Sequence, residues 1–528
     1  MKVPDQNEKV SENHYILSID NGTQSIRAVV FDSQGYVIAK NKVNIEAYFS
    51  KNPTWAEQHP DYFWNKLCEA CQGLWTKISI PKSAIKAVAL TTQRSTVVNL
   101  DKNGKALRPA IVWLDQREEH KLDKIGWFWR GLFFIAGESK SIHYFRSKAQ
   151  ANWIAKNQPD IWNKTHKFLL LSGFHTFKLT GQYVDSVSSQ VGYLPFDFRK
   201  QKWCKKRGWQ WQALPIKKQM LPALIPPGES LGVITRKAAD ETGIPEGLPL
   251  ISAGADKACE ILGSACLTPK VGSLSYGTTA TFNTTNKKYV EAIKRLPAYP
   301  AAMPSAFNTE MIVQRGYWMV SWFKREFGLR EQQLAAERDI EAELLFDDLL
   351  KQVPPGSMGL TLQPYWSPGI KHPGAEAKGA MIGFGDVHTR AHIYRAIIEG
   401  IAFALRAGKE LSEKKSGVKI TQLKVSGGGS QSDQIMQITA DVFGINVERP
   451  HTYETSALGA AINAAVGIGL YPDHQTAVKK MTHKGDSFSP IKKNYEVYDL
   501  LYKQVYKKMY SRLKPLYKAI RKITGYPN

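Results

Sequence analysis

Short apolar segments separated by polar turns open the chain. Residues 15–20 have the pattern of a strand that ends in a carboxylate, and a polar Gly-Thr turn separates them from a second strand over 26–32. A third apolar stretch follows another polar turn, and this order predicts an antiparallel meander. A second meander-like piece is predicted over 87–107, where Asn103 and Gly104 form a typical hairpin turn.

Helical periodicity appears between these strands, around 60–77 and 147–180. Mixed strands and helices predict an α/β layer architecture. The second half of the chain then repeats the opening pattern. Residues 248–256 form another strand that ends in a carboxylate, and 271–285 have the order strand, Gly-Thr turn, strand. Two related turns in the two halves are a weak internal repeat, which is typical of a duplicated domain.

Glycine-rich turns are the first candidates for chemistry. Besides the two Gly-Thr turns, residues 423–444 have the pattern strand, glycine-rich turn, helix, which places backbone N–H groups where a phosphate can approach. The P-loop pattern is absent, and the glycine cluster does not have the GxGxxG dinucleotide spacing. Each turn alone is a weak signal, and together they predict nucleotide binding.

Two carboxylates, Asp20 and Asp256, occur in the same strand-and-turn setting. A kinase needs one group that holds Mg²⁺ and one that accepts the proton of the attacking hydroxyl. A carboxylate at a strand end beside a phosphate-binding turn suits either task. The alternative is that each side chain caps the turn or helix that follows it. Because the setting occurs twice, we favour a functional role.

Composition indicates an ordinary folded protein of two or more domains. The chain has 528 residues, of which 43% are hydrophobic and 22% charged. Its net charge of +24 allows nonspecific contact with nucleic acid or membrane. Near the C-terminus, Tyr and Leu residues at helical spacing predict a basic amphipathic helix packed on the body, which Pro515 kinks or interrupts near Lys514. A nucleic-acid or membrane arm is the alternative.

The remaining signals favour a cytoplasmic protein. The five cysteines are sparse and odd in number, which predicts thiols in a reducing compartment. Cys68 and Cys71 form a lone CxxC without a second pair, so two helix cysteines are favoured over a zinc site. No apolar signal-peptide region is visible at the N-terminus. The most apolar segment, 126–137, contains Arg130 and is too short to span a bilayer, so it is predicted to be a buried or partner-covered helix.

Seven stretches carry a resemblance to a known family. They are DNGTQSIRAVVFD (20–32), WAEQHPDYFW (55–64), TTQRSTVVNLDKNGKALRPAIVWLDQR (91–117), GADKACEILG (254–263), SYGTTA (275–280), GAMIGFGDVHTRAHIYRAIIEG (379–400) and SGGGSQSDQIMQITADVFG (426–444). In this order they resemble the motifs of FGGY-type carbohydrate kinases, which belong to the actin/hexokinase/heat-shock ATPase fold group. The resemblance extends from Tyr15 to Tyr517.

The resemblance implies an α/β fold of two actin-like (ribonuclease H-like) domains with an interdomain cleft. It also implies ATP and Mg²⁺ as cofactors, a small sugar or polyol as substrate, and a homodimer as a family tendency. Neither a specific nucleic-acid partner nor a membrane span is expected. The implied divisions are a flexible terminus (1–14), a substrate-binding domain (15–267), an ATP-binding domain (268–486) and the C-terminal helix packed on the body (487–528).

The family's roles transfer to matching positions of this sequence. Asp256 is implied as the general base, and Asp20 as the group that organises Mg²⁺ through water. The positions implied in ATP binding are Thr23, Gln24, Ser25, Arg27, Gly277, Thr278, Thr279, Gly316, Gly428, Gly429 and Ser432. The positions implied in substrate binding are Gln93, Arg94, Trp113, Asp256 and Lys257. Whether Tyr144 or Phe145 also faces the substrate is open.

The substrate class is divided between two branches of the family. Ser95 stands where glycerol kinases carry Glu, and Lys257 stands where they carry Gln, yet the Gln-Met-His run of xylulokinases is absent. Residues 151–162 resemble the pentulose-kinase branch. We predict phosphorylation of a small sugar, with a ketopentose such as xylulose first and a polyol of the glycerol or erythritol type as the alternative. A non-catalytic nucleotide-binding relative and an actin- or chaperone-like ATPase are less favoured.

Overall fold

The computed structural model describes residues 14–293, 296–367 and 373–526, and these residues form two compact units. The first unit contains 14–263, Pro300–Ser305 and Ser456–Thr482, and the second contains Ser264–Tyr299, Ala306–Thr455 and 483–526. Two later segments therefore complete the first unit, unlike the single division at 267/268 predicted from the sequence. The flexible terminus predicted over 1–14 lies outside the described residues, except for His14. The interdomain cleft stays a prediction.

Strands and helices alternate through both units. The strands are β1 Tyr15–Asn21, β2 Ser25–Phe31, β3 Val37–Asn44, β4 Glu57–Gln58, β5 Ile85–Thr92, β6 Val97–Leu100, β7 Ala110–Ile111, β8 Lys167–Leu170, β9 Val184–Ser186, β10 Phe196–Asp197, β11 Lys202–Trp203, β12 Ala223–Ile225, β13 Ser230–Val233, β14 Pro249–Ile251, β15 Val271–Tyr276, β16 Ala280–Asn286, β17 Tyr299–Pro300, β18 Phe307–Val313, β19 Thr361–Gln363, β20 Ala380–Ile382, β21 Gln422–Ser426, β22 Val447–Pro450 and β23 Lys484–Phe488.

The α-helices connect and cover these strands. They are α1 Pro60–Trp75, α2 Trp127–Ile135, α3 Ser139–Lys148, α4 Gln150–Asn157, α5 Pro159–Lys164, α6 Leu171–Thr180, α7 Gln210–Ala213, α8 Arg236–Thr242, α9 Asp256–Gly263, α10 Trp318–Phe327, α11 Leu329–Arg338, α12 Ala342–Lys351, α13 Arg390–Ser416, α14 Asp433–Phe443, α15 Thr455–Gly467, α16 His474–Met481, α17 Lys492–Leu501 and α18 Lys507–Thr524.

The central sheet of the first unit has the strand order β13-β14-β5-β1-β2-β3. β1 pairs antiparallel with β2 and parallel with β5, and β5 also pairs parallel with β14. Strands β1, β2 and β5 are almost wholly buried along their length, as their continuous apolar runs predict for strands covered on both faces. Because β1, β5 and β14 are parallel, their carboxyl ends lie at one edge of this sheet.

The second unit repeats the same plan. Its main sheet has the order β17-β18-β16-β15-β21-β22-β23. From β18 to β23 the successive pairings are antiparallel, antiparallel, parallel, parallel and antiparallel, which is the sequence of pairings from β3 to β13 in the first unit. The internal repeat predicted from the two Gly-Thr turns is therefore confirmed. The mixed α/β fold class is confirmed as well.

Helix packing follows the apolar spacing of the sequence. α1 begins with Pro60 at its first turn, where the missing N–H costs nothing, and buries Phe63, Leu67 and Leu74 on one side. In α15 small residues allow a closer approach. A Cβ added at Gly459 would lie 1.9 Å from the carbonyl oxygen of Cys259, so α15 meets α9 almost backbone to backbone.

The meander predicted over 87–107 is wrong. β5 belongs to the central sheet, whereas β6 lies in a separate four-stranded sheet of order β4-β7-β6-β8. Ser95, with φ of 58°, lies in the left-handed region between the two strands and helps to turn the chain from one sheet to the other. The sequence pattern could not reveal this, because consecutive strands need not be neighbours in a sheet.

The C-terminal segment is helical, as predicted, but Pro515 does not interrupt it. α17 continues through a π-helical turn at Tyr502–Tyr506 into α18, and Pro515 lies inside α18. Pro515 is exposed, so the loss of its N–H leaves the carbonyl at that turn accessible to water. Tyr498 and Tyr502 are fully buried and pack near Phe403 of α13. Through these contacts the C-terminal helix packs on α13 of the second unit.

Candidate active site

A carboxylate and a guanidinium meet where β1 ends. Asp20 is 2% exposed, and its Oδ2 lies 3.1 Å from Nη2 of Arg27, the residue opposite it on β2. Next to it, Oδ1 of Asn21 lies 2.9 Å from Nε2 of the buried His175. Burial lowers the pKa of His175 to about 3, so this ring is neutral near pH 7 and orients Asn21 without adding charge.

Asp256 lies at the same edge of the sheet but on a helix. β14 stops at Ile251, earlier than predicted, and Asp256 is the first residue of α9. Its position is nevertheless tied to β5, because Thr92 and Ala255 form a parallel bridge and the Thr91 hydroxyl donates to the Gly254 carbonyl at 2.8 Å. The backbone N–H of Gln93 donates to the backbone carbonyl of Asn21 at 2.9 Å. The structure therefore brings Asp20, Gln93 and Asp256 to neighbouring strand ends.

Burial dominates the electrostatics of Asp256. It raises the pKa of this carboxyl above its usual value, while the positive charges of Arg94 and then Lys257 act in the opposite direction. Oδ1 accepts a 2.7 Å hydrogen bond from the Lys257 amide. The Lys257 ammonium pairs with Glu260 one turn along α9. A carboxylate with a raised pKa and a fixed orientation is suited to accept a proton.

Gln93 has a buried side-chain amide without a hydrogen-bond partner in the part of the chain that the structure describes. Its side chain is 3% exposed, and neither Oε1 nor Nε2 has a hydrogen-bond partner among the described residues. Buried amides are almost always hydrogen-bonded, because leaving one unpaired costs about 1–3 kcal/mol. Because Gln93 lies beside Arg94 and near Asp256, we expect a hydroxylated ligand to supply the partner of this side-chain amide.

We expect Gln93→Met to weaken sugar binding without weakening the fold. The substitution keeps the volume of the side chain and removes both unpaired polar atoms, so the free energy of unfolding should stay the same or rise. The KM for sugar should increase about tenfold to a hundredfold, because a ligand hydroxyl loses its partner, whereas the KM for ATP should not change. Steady-state kinetics and urea unfolding test this together. A loss of stability with an unchanged sugar KM would assign Gln93 to the core.

Two predicted residues from different groups contact each other in the first unit. The indole Nε1 of Trp113 donates to the hydroxyl of Thr23 at 3.0 Å. A residue expected to bind substrate therefore contacts a residue expected to bind ATP. Within the turn that contains Thr23, Gln24 is exposed and Ser25 is buried. Tyr144 and Phe145 lie further along on α3, where Phe145 packs against Tyr193 and Trp209.

A buried ion cluster that includes residues on both sides of Trp113 in the chain was missed in the sequence. Glu57 pairs with Arg108 and, at 3.0 Å, with Arg117, and all three side chains are at most 5% exposed. Arg117 also pairs with Asp115 at 2.6 Å and lies over the ring of Trp55 at 4.1 Å. The cluster anchors the chain two residues beyond Trp113. The charged residues of two matched motifs were the one sign of this cluster in the sequence. Their pairing could not be predicted, because it joins positions about 50 to 60 residues apart.

A second missed network supports the approach to Asp256. Asp185 is fully buried and accepts hydrogen bonds of 2.8 Å from Ser172, Gln190 and the Ser186 amide. Burial raises the pKa of Asp185 to about 7, although these hydrogen bonds act in the opposite direction and lower it. The carbonyl of Ser188 accepts from the Ala255 amide at 3.1 Å. This network therefore positions the backbone immediately before the candidate base.

The second unit gathers the other predicted glycines around its own turn. The amides of Tyr317 and Trp318 donate to the carbonyls of Gly277 and Thr278 at 3.1 and 3.2 Å. A Cβ added at Gly316 would lie 2.3 Å from the amide nitrogen of Ala280, so only glycine allows this approach. The structure therefore places Gly316 against the Gly277–Thr279 turn, as its expected role requires.

The late glycine cluster reaches the same turn. Gly427, with φ of 85°, lies against the backbone of Tyr276, and Gly429 lies against the ring of Tyr317. Tyr276 and Tyr317 stack on each other at 4.7 Å. The structure thus brings Gly277–Thr279, Gly316 and Gly427–Gly429 together, although the chain separates them by up to 152 residues.

Ser432 differs from the other members of this group. Its hydroxyl donates to Oδ1 of Asp347 at 2.5 Å and accepts from the Ile435 amide at 3.1 Å, so it caps α14. Capping by a Ser side chain satisfies one of the amides at the helix start. Its expected contact with adenosine stays a prediction.

We expect Gly429→Ala and Gly428→Ala to differ sharply. A Cβ at Gly429 would lie 2.3 Å from the Tyr317 ring, so this variant should lose about 1–3 kcal/mol of unfolding free energy through overpacking. A Cβ at Gly428 meets no atom of the described residues within 4 Å, so this matched variant should unfold as the wild type does. Neither glycine requires a positive φ. Equal melting of the two variants would contradict this geometry.

The available carboxylates fit a magnesium ion that arrives with a nucleotide. No group of three or more His, Cys, Asp or Glu side chains in the described chain has metal-ligating geometry. Mg²⁺ does not need such a group, because it keeps several waters and commonly takes one or two carboxylates plus phosphate oxygens. Asp20 offers one buried carboxylate whose orientation Arg27 holds.

None of the five cysteines forms a disulfide, and Cys68 and Cys71 are buried in α1.

Comparison with known proteins identifies the family. The model described as "FGGY family of carbohydrate kinases, N-terminal domain" matches residues 15–263, and that of the C-terminal domain matches 272–468. This chain belongs to the FGGY family of carbohydrate kinases. It is therefore a phosphotransferase that uses ATP and acts on a small molecule. The recognition made from the sequence motifs is confirmed.

Curated FGGY relatives cover nearly the whole chain. An uncharacterized sugar kinase of Escherichia coli (strain K12), YgcE, is 30% identical over 93% of this chain and 92% of its own length. The xylulose kinase of Lactococcus lactis is 28% identical over 93% and 96%. Glycerol kinase 2 of Thermotoga maritima is 30% identical over 87% and 91%.

Solved FGGY structures share the fold at low identity. The ligand-bound xylulose kinase of Lactobacillus acidophilus aligns with a TM-score of 0.77 at 20% identity, covering 97% of this chain and 99% of that one. This similarity confirms the actin-like, two-domain fold class. Within residues 14–293, 296–367 and 373–526, no helix has the length and apolar content needed to cross a membrane.

Proposed function

We propose that this chain transfers the γ-phosphoryl group of ATP to a hydroxyl of a ketopentose, with xylulose as the first candidate. One observation supports a sugar most strongly: the buried Gln93 amide, which has no partner among the described residues, lies at the strand edge that also carries Asp256. A site built to hydrogen-bond hydroxyls leaves such groups unpaired until the substrate binds. Relatives named xylulose kinase at 28% and 25% identity support the pentulose branch.

In the proposed mechanism the sugar binds to Gln93, Arg94 and Trp113. Asp256 accepts the proton of the reacting hydroxyl while the hydroxyl oxygen attacks the γ-phosphorus, and ADP leaves. Amides and hydroxyls of Gly277–Thr279 bind phosphate oxygens. Asp20 would hold Mg²⁺, which when bound offsets negative charge on the phosphoryl oxygens.

A polyol of the glycerol type is the second candidate. The supporting observation is the glycerol kinase 2 of Thermotoga maritima, which is 30% identical to this chain. Against it, Ser95 does not supply a carboxylate after Arg94, and its hydroxyl donates to the Val191 carbonyl at 2.9 Å. We also propose that the protein is cytoplasmic and forms a homodimer.

The deciding experiment measures ADP release from Mg-ATP with ketopentoses, aldoses and polyols, beside a control without sugar. We expect xylulose or another ketopentose to raise the rate far above the control. Stimulation by glycerol or erythritol alone would select the second candidate. If no compound of the panel raises ADP release above the control, with either the wild type or the Asp256→Asn variant, both substrate proposals are overturned.

We also expect the acidic limb of the pH profile to lie at a higher pH than it would if the base were a carboxylate of ordinary pKa. The base must be ionised, and burial raises the pKa of Asp256, so activity is lost as the pH drops through this raised value. Lys257→Met removes a positive charge that opposes the burial effect and should move the acidic limb to still higher pH. A profile of kcat/KM against pH for both proteins tests the sign. A limb that moves to lower pH would contradict it.

A further inference from the structure

The most apolar helix of the first unit, predicted to be either buried or covered by a partner, is exposed in this chain. In α2 the side chains of Trp127, Phe134 and Ile135 are 79%, 80% and 84% exposed, and Phe128 and Leu132 are exposed as well. From 125 to 137 only Arg130 carries a charge. Isolated apolar residues on a surface are ordinary, but five on adjacent turns form a continuous patch of the kind that marks an interaction site. We name it the α2 face.

The opposite side of α2 is firmly attached. Trp129 and Phe133, four residues apart, point the other way, and Phe133 meets Trp209 edge to face at 5.6 Å. Trp209 in turn packs on Phe145 of α3 at 5.3 Å. The Gly126 amide donates to Oε1 of Gln212 at 3.2 Å. Aromatic side chains therefore attach the inner side of α2 to the rest of the unit. The α2 face is exposed although the helix itself is firmly packed.

A strongly basic loop adjoins this anchor. Residues 199–207 contain six Lys or Arg and no acidic residue, and all six basic residues are exposed. The loop leads directly into Trp209. It is also fastened at Trp211, whose indole donates to the carbonyls of Cys204 and Lys205 at 3.2 and 3.0 Å. The basic loop is therefore joined, through Trp209, to the aromatic side chains that anchor α2.

We propose that the α2 face and the basic loop 199–207 bind the surface of an anionic lipid bilayer. Helices that lie in a bilayer interface combine Trp, Phe and Leu on one face with nearby basic residues, and they bind through apolar burial plus attraction to anionic headgroups. The net charge of +24 adds to this attraction. α2 is nine residues long and does not span the bilayer.

Charge and size both favour a bilayer over other occupants. A second copy would bring two basic loops, each with six positive charges, toward one another. A stable dimer also buries roughly 800 Å² per partner, from about 20–30 residues, whereas the α2 face consists of five exposed apolar side chains. Nucleic acid would pair with the loop but would leave Leu132 and Ile135 without an apolar partner.

The test is sedimentation of the full chain with vesicles. We expect binding to phosphatidylcholine vesicles that contain phosphatidylglycerol, weaker binding to phosphatidylcholine alone, and a decrease as salt rises. The double variant Phe134→Ser/Ile135→Ser should lose about tenfold or more in vesicle affinity, because two exposed apolar side chains no longer enter the interface. Its melting temperature and kinase turnover should match the wild type, since neither side chain supports the core.

A matched control tests the position of the binding surface. Leu516 and Ile523 of α18 are 58% and 82% exposed, so Leu516→Ser/Ile523→Ser removes a similar apolar area elsewhere and should keep vesicle binding. Lys205→Glu/Lys206→Glu should weaken binding only to the anionic vesicles.

Three results would overturn the proposal. The first is equal vesicle binding by the wild type and the α2 variant. The second is a dimer, seen by analytical ultracentrifugation, that the α2 variant dissociates while vesicles remain unbound. The third is binding to duplex DNA through 199–207 without any binding to vesicles.

Discussion

Asp256→Asn is expected to lower kcat by about 10²–10⁴-fold while the protein stays folded. An amide cannot accept the proton of the sugar hydroxyl, and loss of a general base typically has an effect of this size. The fold should survive, because Asn retains an oxygen that accepts the Lys257 amide bond of 2.7 Å. Burial already disfavours the ionised carboxylate, as the raised pKa of Asp256 indicates, so a neutral residue adds no strain.

The measurement is ADP release at saturating sugar and ATP, together with a melting curve. Asp240→Asn serves as the matched control, because Asp240 is an exposed carboxylate on α8 of the same unit that forms a surface pair with Arg236. This control should turn over normally. Near-normal turnover of Asp256→Asn with an intact fold would remove Asp256 from the role of base.

Glu57→Gln is expected to produce the largest loss of stability, about 3–5 kcal/mol of unfolding free energy. Removing one partner of a buried ion pair leaves the opposite charge without compensation. Arg108 is affected most, because burial already lowers its pKa to about 10 and its remaining hydrogen bond is to the neutral Gln158 at 2.8 Å. Arg117 keeps Asp115 as a partner. Urea unfolding followed by tryptophan fluorescence is suitable, because Trp55 and Trp153 both lie against Arg117.

An exposed pair provides the comparison. Glu69 of α1 pairs with Lys66 at the surface, so Glu69→Gln should change the free energy of unfolding by no more than about 1 kcal/mol. The double variant Glu57→Met/Arg108→Met should recover part of the lost stability, because apolar residues can replace a buried ion pair. If Glu57→Gln and Glu69→Gln unfold alike, the cluster does not stabilise the segment that carries Trp113.

Local features of the site were predicted well from the sequence. The β1–β2 hairpin and its counterpart β15–β16 follow from apolar segments around a Gly-Thr turn, and both antiparallel pairings are confirmed. The strand, glycine turn and helix over 423–444 are confirmed in the same way. These features depend on neighbours a few residues apart, which a sequence pattern contains.

Longer-range features were not accessible. The sequence suggested that β5 and β6 form one meander, yet they belong to different sheets. It left open whether the helix at 126–137 is buried or covered by a partner, and the structure excludes burial within the chain, because hydrophobicity alone does not show which elements pack against a helix. Glu57 and its two arginines are separated by about 50 and 60 residues, so their pairing is visible only in the folded chain.

By itself, the sequence determined the family, the duplicated α/β plan, the two carboxylates and the glycine turns, because each is written in local patterns of residue type. The tertiary structure alone decided that Gln93 is buried without a described partner, that Gly429 is crowded while Gly428 is not, and that α2 faces outward. The physical reason is that burial, steric room and charge pairing depend on which distant segments pack together, and strand pairing across the chain sets that arrangement.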